Sequence, residues 1–213
     1  MKKLLFLLLF ASSAVWGQFS ISGSMGINYF ASPSIKDYLN MHFPSNNGLL
    51  SSFSASVGFY GEAGYRISSN FEAGAEYVYQ IYSYNSPSIS GGQYNFALDI
   101  QKISIIGYYV IPGEGYELKF GAGAGIRMAS VDEEIYSRLN YKSTGFGLFT
   151  RAAGLTPLGK NLFANLGVEA GYDINGEPDR GGSKIVNATL NKNVNLNNFY
   201  LCLKLGITYY FQE

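Results

Sequence analysis

From Phe199 to Phe211 the chain alternates with a period of two. Phe199, Leu201, Leu203, Leu205, Ile207, Tyr209 and Phe211 share one face; Tyr200, Cys202, Lys204, Gly206, Thr208 and Tyr210 share the other. Successive strand side chains point to opposite sides, so this stretch is a β-strand with one wholly apolar face. Seven earlier segments alternate in the same way: Phe19–Phe30, Ser52–Ile67, Phe71–Tyr84, Tyr94–Ile111, Tyr116–Ser130, Ser143–Leu155 and Leu162–Ile174. The fourth changes phase between Ile100 and Ile103, which predicts a β-bulge there and leaves the side of Lys102 open. An all-β chain of eight strands follows.

The joins between these strands alternate in length. SSN, PGEG and TPLGKN are short, whereas Ala31–Ser51, Asn85–Gln93, Val131–Lys142 and Asn175–Asn198 are long. Tight turns at one end and long loops at the other predict an antiparallel up-and-down barrel that crosses a membrane. Charge points the same way. Glu62, Arg66, Glu72, Glu76, Glu117, Lys119, Arg127, Arg151, Glu169, Asp173 and Lys204 all fall on the polar phase. A charge facing lipid at the bilayer midplane costs about 2–4 kcal/mol, so the apolar phase is expected outside and the charged phase inside. A soluble lipocalin-like barrel would be the same alternation inside out, and it leaves the loop lengths unexplained. Outward aromatics should form two girdles: Tyr65, Phe71, Tyr109, Tyr116, Tyr209 and Phe211 by the turns, and Tyr29, Phe53, Tyr79, Phe96, Tyr172 and Phe199 by the loops.

The first 17 residues read as a secretory signal peptide: Lys2 and Lys3, an apolar run from Leu4, then small residues before Gln18. The expected division is therefore 1–17 as signal and 18–213 as one barrel domain. The run is too short to span a bilayer as a helix. The chain carries 26 Gly, 18 Tyr and 15 Phe with only 14% charged residues, a composition suited to lipid contact. Loss of Lys2 and Lys3 leaves 13 basic against 15 acidic residues, a net charge of −2, which argues against nucleic acid as a partner. Cys202 is the only cysteine, so no intramolecular disulfide can form.

The terminal segment KLGITYYF resembles the C-terminal sorting signal of bacterial outer-membrane barrels, carried here by Lys204, Gly206, Tyr209 and Phe211. With the eight alternating segments, most of the mature chain resembles the small eight-stranded outer-membrane barrels of the OmpA/OmpX type, often labelled porin-like. The resemblance implies a monomer in the bacterial outer membrane, surrounded by lipid and inserted by the barrel-assembly machinery. It implies no cofactor, and it leaves room at the long loops for an extracellular ligand of unknown chemistry.

Eight strands leave an interior just wide enough for side chains. Glu62, Arg66, Glu72, Glu76, Lys119, Arg127, Arg151, Glu169 and Lys204 are therefore expected to pair as a lumen charge network, because unpaired buried charges are costly. A narrow or gated channel is the alternative. Gly121, Gly123 and Gly125 should point inward and make room for large neighbours such as Arg127 and Arg151. The GAGAG run lacks the helix of a dinucleotide-binding loop, and Asn187-Ala188-Thr189 reads as a chance glycosylation match. His42, the only histidine, could meet Ser34, Ser45 or Asp37, but the spacing fixes no triad and no metal set. The expectation is a barrel without enzymatic activity. Its role is structural or surface-interacting through the loops, or alternatively that of a small passive channel for small or hydrophobic solutes.

Overall fold

The computed structural model describes residues 18–43, 50, 54–87, 93–134 and 136–211. The 1–17 segment, Ser45 and Phe53 lie outside them. Eight long strands are present: β1 (Gln18–Ala31), β2 (Ser54–Ser68), β3 (Phe71–Pro87), β4 (Gln93–Gly113), β5 (Tyr116–Glu134), β6 (Arg138–Pro157), β7 (Leu162–Ile174) and β8 (Asn198–Phe211). Each pairs antiparallel with its neighbours in sequence, and β1 pairs with β8, so the sheet closes on itself. The closing seam runs from Phe19 opposite Phe211 to Ala31 opposite Phe199. Closure removes both open edges, which a bilayer would not tolerate.

The two phases separate cleanly. Ile105 is 73% exposed and Leu205 66%, whereas Glu72 is 2% exposed and Arg127 is fully buried. Apolar residues outside and charges inside exclude the lipocalin-like inversion. The fold is an eight-stranded antiparallel transmembrane β-barrel.

Several sequence expectations need correction. β4 contains no bulge: Tyr94, Phe96, Leu98, Ile100, Lys102, Ser104, Ile106, Tyr108 and Val110 are all buried in unbroken alternation. The apparent phase change arose because the loop end of the lumen is itself apolar. Phe96 therefore belongs to the interior and not to a girdle, and Lys102 points inward. Among the described residues, the one register shift in the barrel ladders lies between Arg66 and Ser68 of β2.

The third long loop is largely strand, and strand also runs into both ends of the second. β3 pairs with β4 from Pro87 opposite Gln93, and β5 pairs with β6 from Glu134 opposite Arg138. β4 has 21 residues and β6 has 20, whereas a tilted strand crosses a bilayer in about 9–11. The surplus rises above the apolar belt at the loop end. Asp99, Asp132 and Lys142 alternate with buried neighbours there and so face outward.

The first long loop holds a helix, α1 (Pro33–His42), with Pro33 starting it where a missing N–H is harmless. Ile35, Tyr38 and Leu39 form its buried stripe at helical spacing. The fourth loop holds two small hairpins, Asp179–Lys184 and Val186–Asn193.

Candidate functional site

The lumen charges divide into three clusters stacked along the barrel. Nearest the short turns, Arg66 donates to Glu117 at 2.7 Å and to Glu72 at 3.1 Å. Lys119 reaches both oxygens of Glu72 at 2.7 and 2.8 Å, and the Tyr210 hydroxyl donates to Glu117. Two cations face two carboxylates, so the cluster is neutral.

The middle cluster is centred on Arg151. Its guanidinium donates to Glu62 at 2.6 Å, to Glu76 at 2.6 Å and, through Nε, to Glu169 at 2.8 Å. Lys204 adds a second cation 3.3 Å from Glu76 and 3.4 Å from Glu169. The Tyr108 hydroxyl donates to Glu62 and that of Tyr200 to Glu169, adding neutral donors to the carboxylates. Three carboxylates against two cations leave one negative charge.

The third cluster lies closer to the loops. Arg127 Nε donates to Asp173 at 2.6 Å, and Lys102 Nζ is 2.9 Å from the other Asp173 oxygen. Lys102 also sits 3.8 Å above the Tyr200 ring. This cluster has one positive charge in excess, next to the excess negative charge below it. Buried charges persist only when paired and hydrogen-bonded, and the register brings the partners together. Arg151 stands opposite Glu169 in the β6–β7 ladder, and the cations Lys102 and Arg127, side by side in β4–β5, converge on Asp173 of β7.

Thus Glu62, Glu76, Arg151, Glu169 and Lys204 meet in one place, Arg66, Glu72 and Lys119 in another, and Arg127 stands apart from both. Sequence reasoning left Lys102 without a side and overlooked the tyrosines that complete the clusters. Their signal was available: Tyr108, Tyr200 and Tyr210 all lie on the polar phase.

Gly121 and Gly123 make room for large neighbours as expected, but those neighbours are aromatic rings and not the arginines, while Gly125 lies against Ser104. A Cβ on Gly121 would meet the Tyr108 ring at 2.6 Å, and one on Gly123 would meet the Phe149 ring at 2.4 Å. The space is therefore taken by aromatic rings, and Arg127 lies instead across Gly147. Cys202 is buried, with its Sγ 3.1 Å from the Tyr60 hydroxyl. A small cavity of ≈ 20 Å³ lies within the charged clusters between Tyr60, Tyr108 and Arg151, room for about one water.

Above the clusters the interior turns apolar. Phe30, Tyr82, Phe96, Leu98, Ile100 and Val131 line it, and Ile35, Tyr38 and Leu39 of α1 fill it from above. Ile185, Val194 and Leu196 of the fourth loop join the same core. The Tyr38 and Tyr94 hydroxyls both donate to Glu133, at 2.5 and 2.7 Å. Burial, reinforced by the Glu133 carboxylate, pushes the Tyr38 phenol far above its ordinary range, so it remains a donor. Phe43 stacks on Tyr94 with ring centroids 3.5 Å apart. The sequence signal for this helix was Pro33 ahead of Ile35, Tyr38 and Leu39, hidden inside a loop.

His42 Nδ1 lies 3.1 Å from the Tyr38 carbonyl oxygen, and the Ser34 hydroxyl accepts from the Asn195 backbone N–H at 3.0 Å. Asn187 is buried, its amide directed to Met41 Sδ and its oxygen accepting from the Leu190 N–H. In the fourth loop Lys184 bonds Glu177 at 2.7 Å, which holds that carboxyl below the usual range and raises the ammonium. Of the terminal residues, Lys204 points inward to its carboxylates and Gly206 packs against the Gly23 carbonyl. Tyr209 and Phe211 face outward, and Phe211 lies 5.6 Å from Phe19 across the seam.

The closed ring, the inverted polarity and the tall rim at the loop end can be set beside solved structures. Neisserial surface protein A aligns over 91% of this chain and 97% of its own, with a TM-score of 0.56 and 18% identity. Ail, the attachment invasion locus protein of Yersinia pestis, solved with the heparin analogue sucrose octasulfate, aligns over 92% and 99% with a TM-score of 0.55 and 12% identity. The fold is that of the small outer-membrane β-barrels. No family model and no curated protein sequence matches the chain.

Proposed function

We propose that the chain is a monomeric integral outer-membrane barrel that conducts nothing and acts through its extracellular end, in a structural or surface-interaction role. The observation that carries this reading is the filled lumen: three ion-pair clusters span its width, with a cavity of ≈ 20 Å³ among the described residues. Hydrated solutes need a continuous path, and side chains locked in charge-assisted bonds argue against one. Export through residues 1–17 and delivery to the assembly machinery by Lys204, Gly206, Tyr209 and Phe211 belong to the same proposal.

The surface offered outward combines Met41 of α1 with Val186 and Leu190 of the fourth loop, 45%, 48% and 42% exposed. Its charges are mixed. Lys184 is paired with Glu177, and Lys142 stands opposite Asp179 in the sheet. A polyanion such as the heparin analogue bound by Ail would meet no one-sided basic field on those residues.

Planar-bilayer recording of the purified barrel tests the reading. The expected result is no unitary conductance. Reproducible single-channel steps would replace it with the passive-channel alternative.

A further inference from the structure

α1 is held differently from every barrel strand. Each strand is bonded to two neighbours through backbone ladders over most of its length, whereas among the described residues no backbone hydrogen bond joins α1 to a strand. Ser32 alone separates it from the end of β1. Its N-cap makes no side-chain hydrogen bond, and no acidic residue sits in its first turn. A helix of ten residues with those ends is marginal by itself, so docking must supply its stability.

Side chains supply that docking. Ile35 and Leu39 fill the apolar interior, Tyr38 bonds Glu133, and Phe43 stacks on Tyr94. The Tyr84 hydroxyl donates to the Phe43 carbonyl at 2.6 Å, and Asn195 bonds Ser34. On the closed-lumen reading proposed above, the ion pairs below α1 already close the lumen, so the helix is not needed to block a pore. Two closures are stacked: one made of strand side chains, the other carried on a loop. Elements with few backbone ties open locally at a fraction of the global unfolding free energy.

We propose that α1 is a lid that undocks from the barrel mouth as a unit while the barrel stays folded. Undocking uncovers a recess walled by Tyr82, Tyr94, Phe96, Leu98 and Val131, with the Glu133 carboxylate as acceptor at its rim. An apolar molecule bearing a hydrogen-bond donor matches that recess, because the Tyr38 ring and phenol occupy it in the closed form.

Hydrogen–deuterium exchange of the full barrel in lipid nanodiscs, read peptide by peptide, tests the lid. Residues 33–42 should show protection factors at least about tenfold below those of β1 and β5. Tyr38→Phe keeps the ring and removes the donor to Glu133. It should lower protection of 33–42 by about tenfold more, the size of one hydrogen bond to a charged group, and leave β1 and β5 unchanged. Leu39→Ala should act in the same direction without touching Glu133. Protection of 33–42 equal to that of β1 would overturn the proposal. So would variants that change no rates, or that change all segments alike, because α1 would then be a fixed part of the barrel. Exchange rates do not depend on conductance, so this outcome stands apart from the closed-lumen reading.

Discussion

Arg151 shows how much of the lumen depends on one side chain. Its guanidinium touches Glu62, Glu76 and Glu169, and only Lys204 would remain to balance them. Arg151→Ala should lower stability by about 3–5 kcal/mol, the cost of breaking a buried pair, as measured by urea unfolding in lipid vesicles. Lys184→Ala, which removes an exposed partner of Glu177, should leave the unfolding midpoint unchanged. Equal midpoints for the two variants would mean that water screens the Arg151 cluster. That Arg151, Glu62, Glu76 and Glu169 face inward was legible from their phase. Which of them touch was not, because contact across a barrel depends on the stagger between strands that are not neighbours. Lys102 illustrates the limit: its phase could not be read until β4 was seen to be buried on one side along its whole loop half.

Within β5 the spacing of small residues matters more than their identity as a motif. Gly123 lies under the Phe149 ring and against the Ile105 carbonyl, so a side chain there collides with both. Gly123→Val should destabilise the barrel by about 1–3 kcal/mol through overpacking, read as a lower transition on heating the heat-modifiable form. No change would mean that the ring can move aside freely. β8 supports a second expectation. Phe211 and Phe146 are 49% and 48% exposed on the outer face, so they remove similar apolar contact. If the terminal segment is read during assembly, removal of Phe211 should reduce the folded membrane yield well below that of Phe146→Ala. Equal yields from fractionated cells would make the terminal match coincidental. α1 is the element the sequence hid, because three apolar positions in a polar loop are too few to stand out from surface residues.

For the whole barrel, orientation is the property with the sharpest test. Long loops outside and short turns inside place Arg180, Lys184 and Lys192 on the cell surface and Lys160 on the periplasmic side. All four are exposed, so accessibility differs only through the membrane. Trypsin applied to intact cells should cut within Asp179–Lys192 and spare Lys160. Cleavage at Lys160 alone would reverse the topology.

Period-two alternation, the confinement of charge to one phase and the alternation of loop lengths determined the barrel, its eight strands and its polarity. These are local patterns, and a strand reports its own two faces in its own residues. The partition of the lumen into three clusters, the apolar upper interior, the height of β3–β6 and the docking of α1 were decided only by tertiary structure. Each depends on which residues meet across the barrel, and that is set by the register and stagger of the closed ring. Tyr94, Phe96 and Leu98 make the point: apolar residues in a strand read as lipid-facing until the helix that covers them from inside is in place.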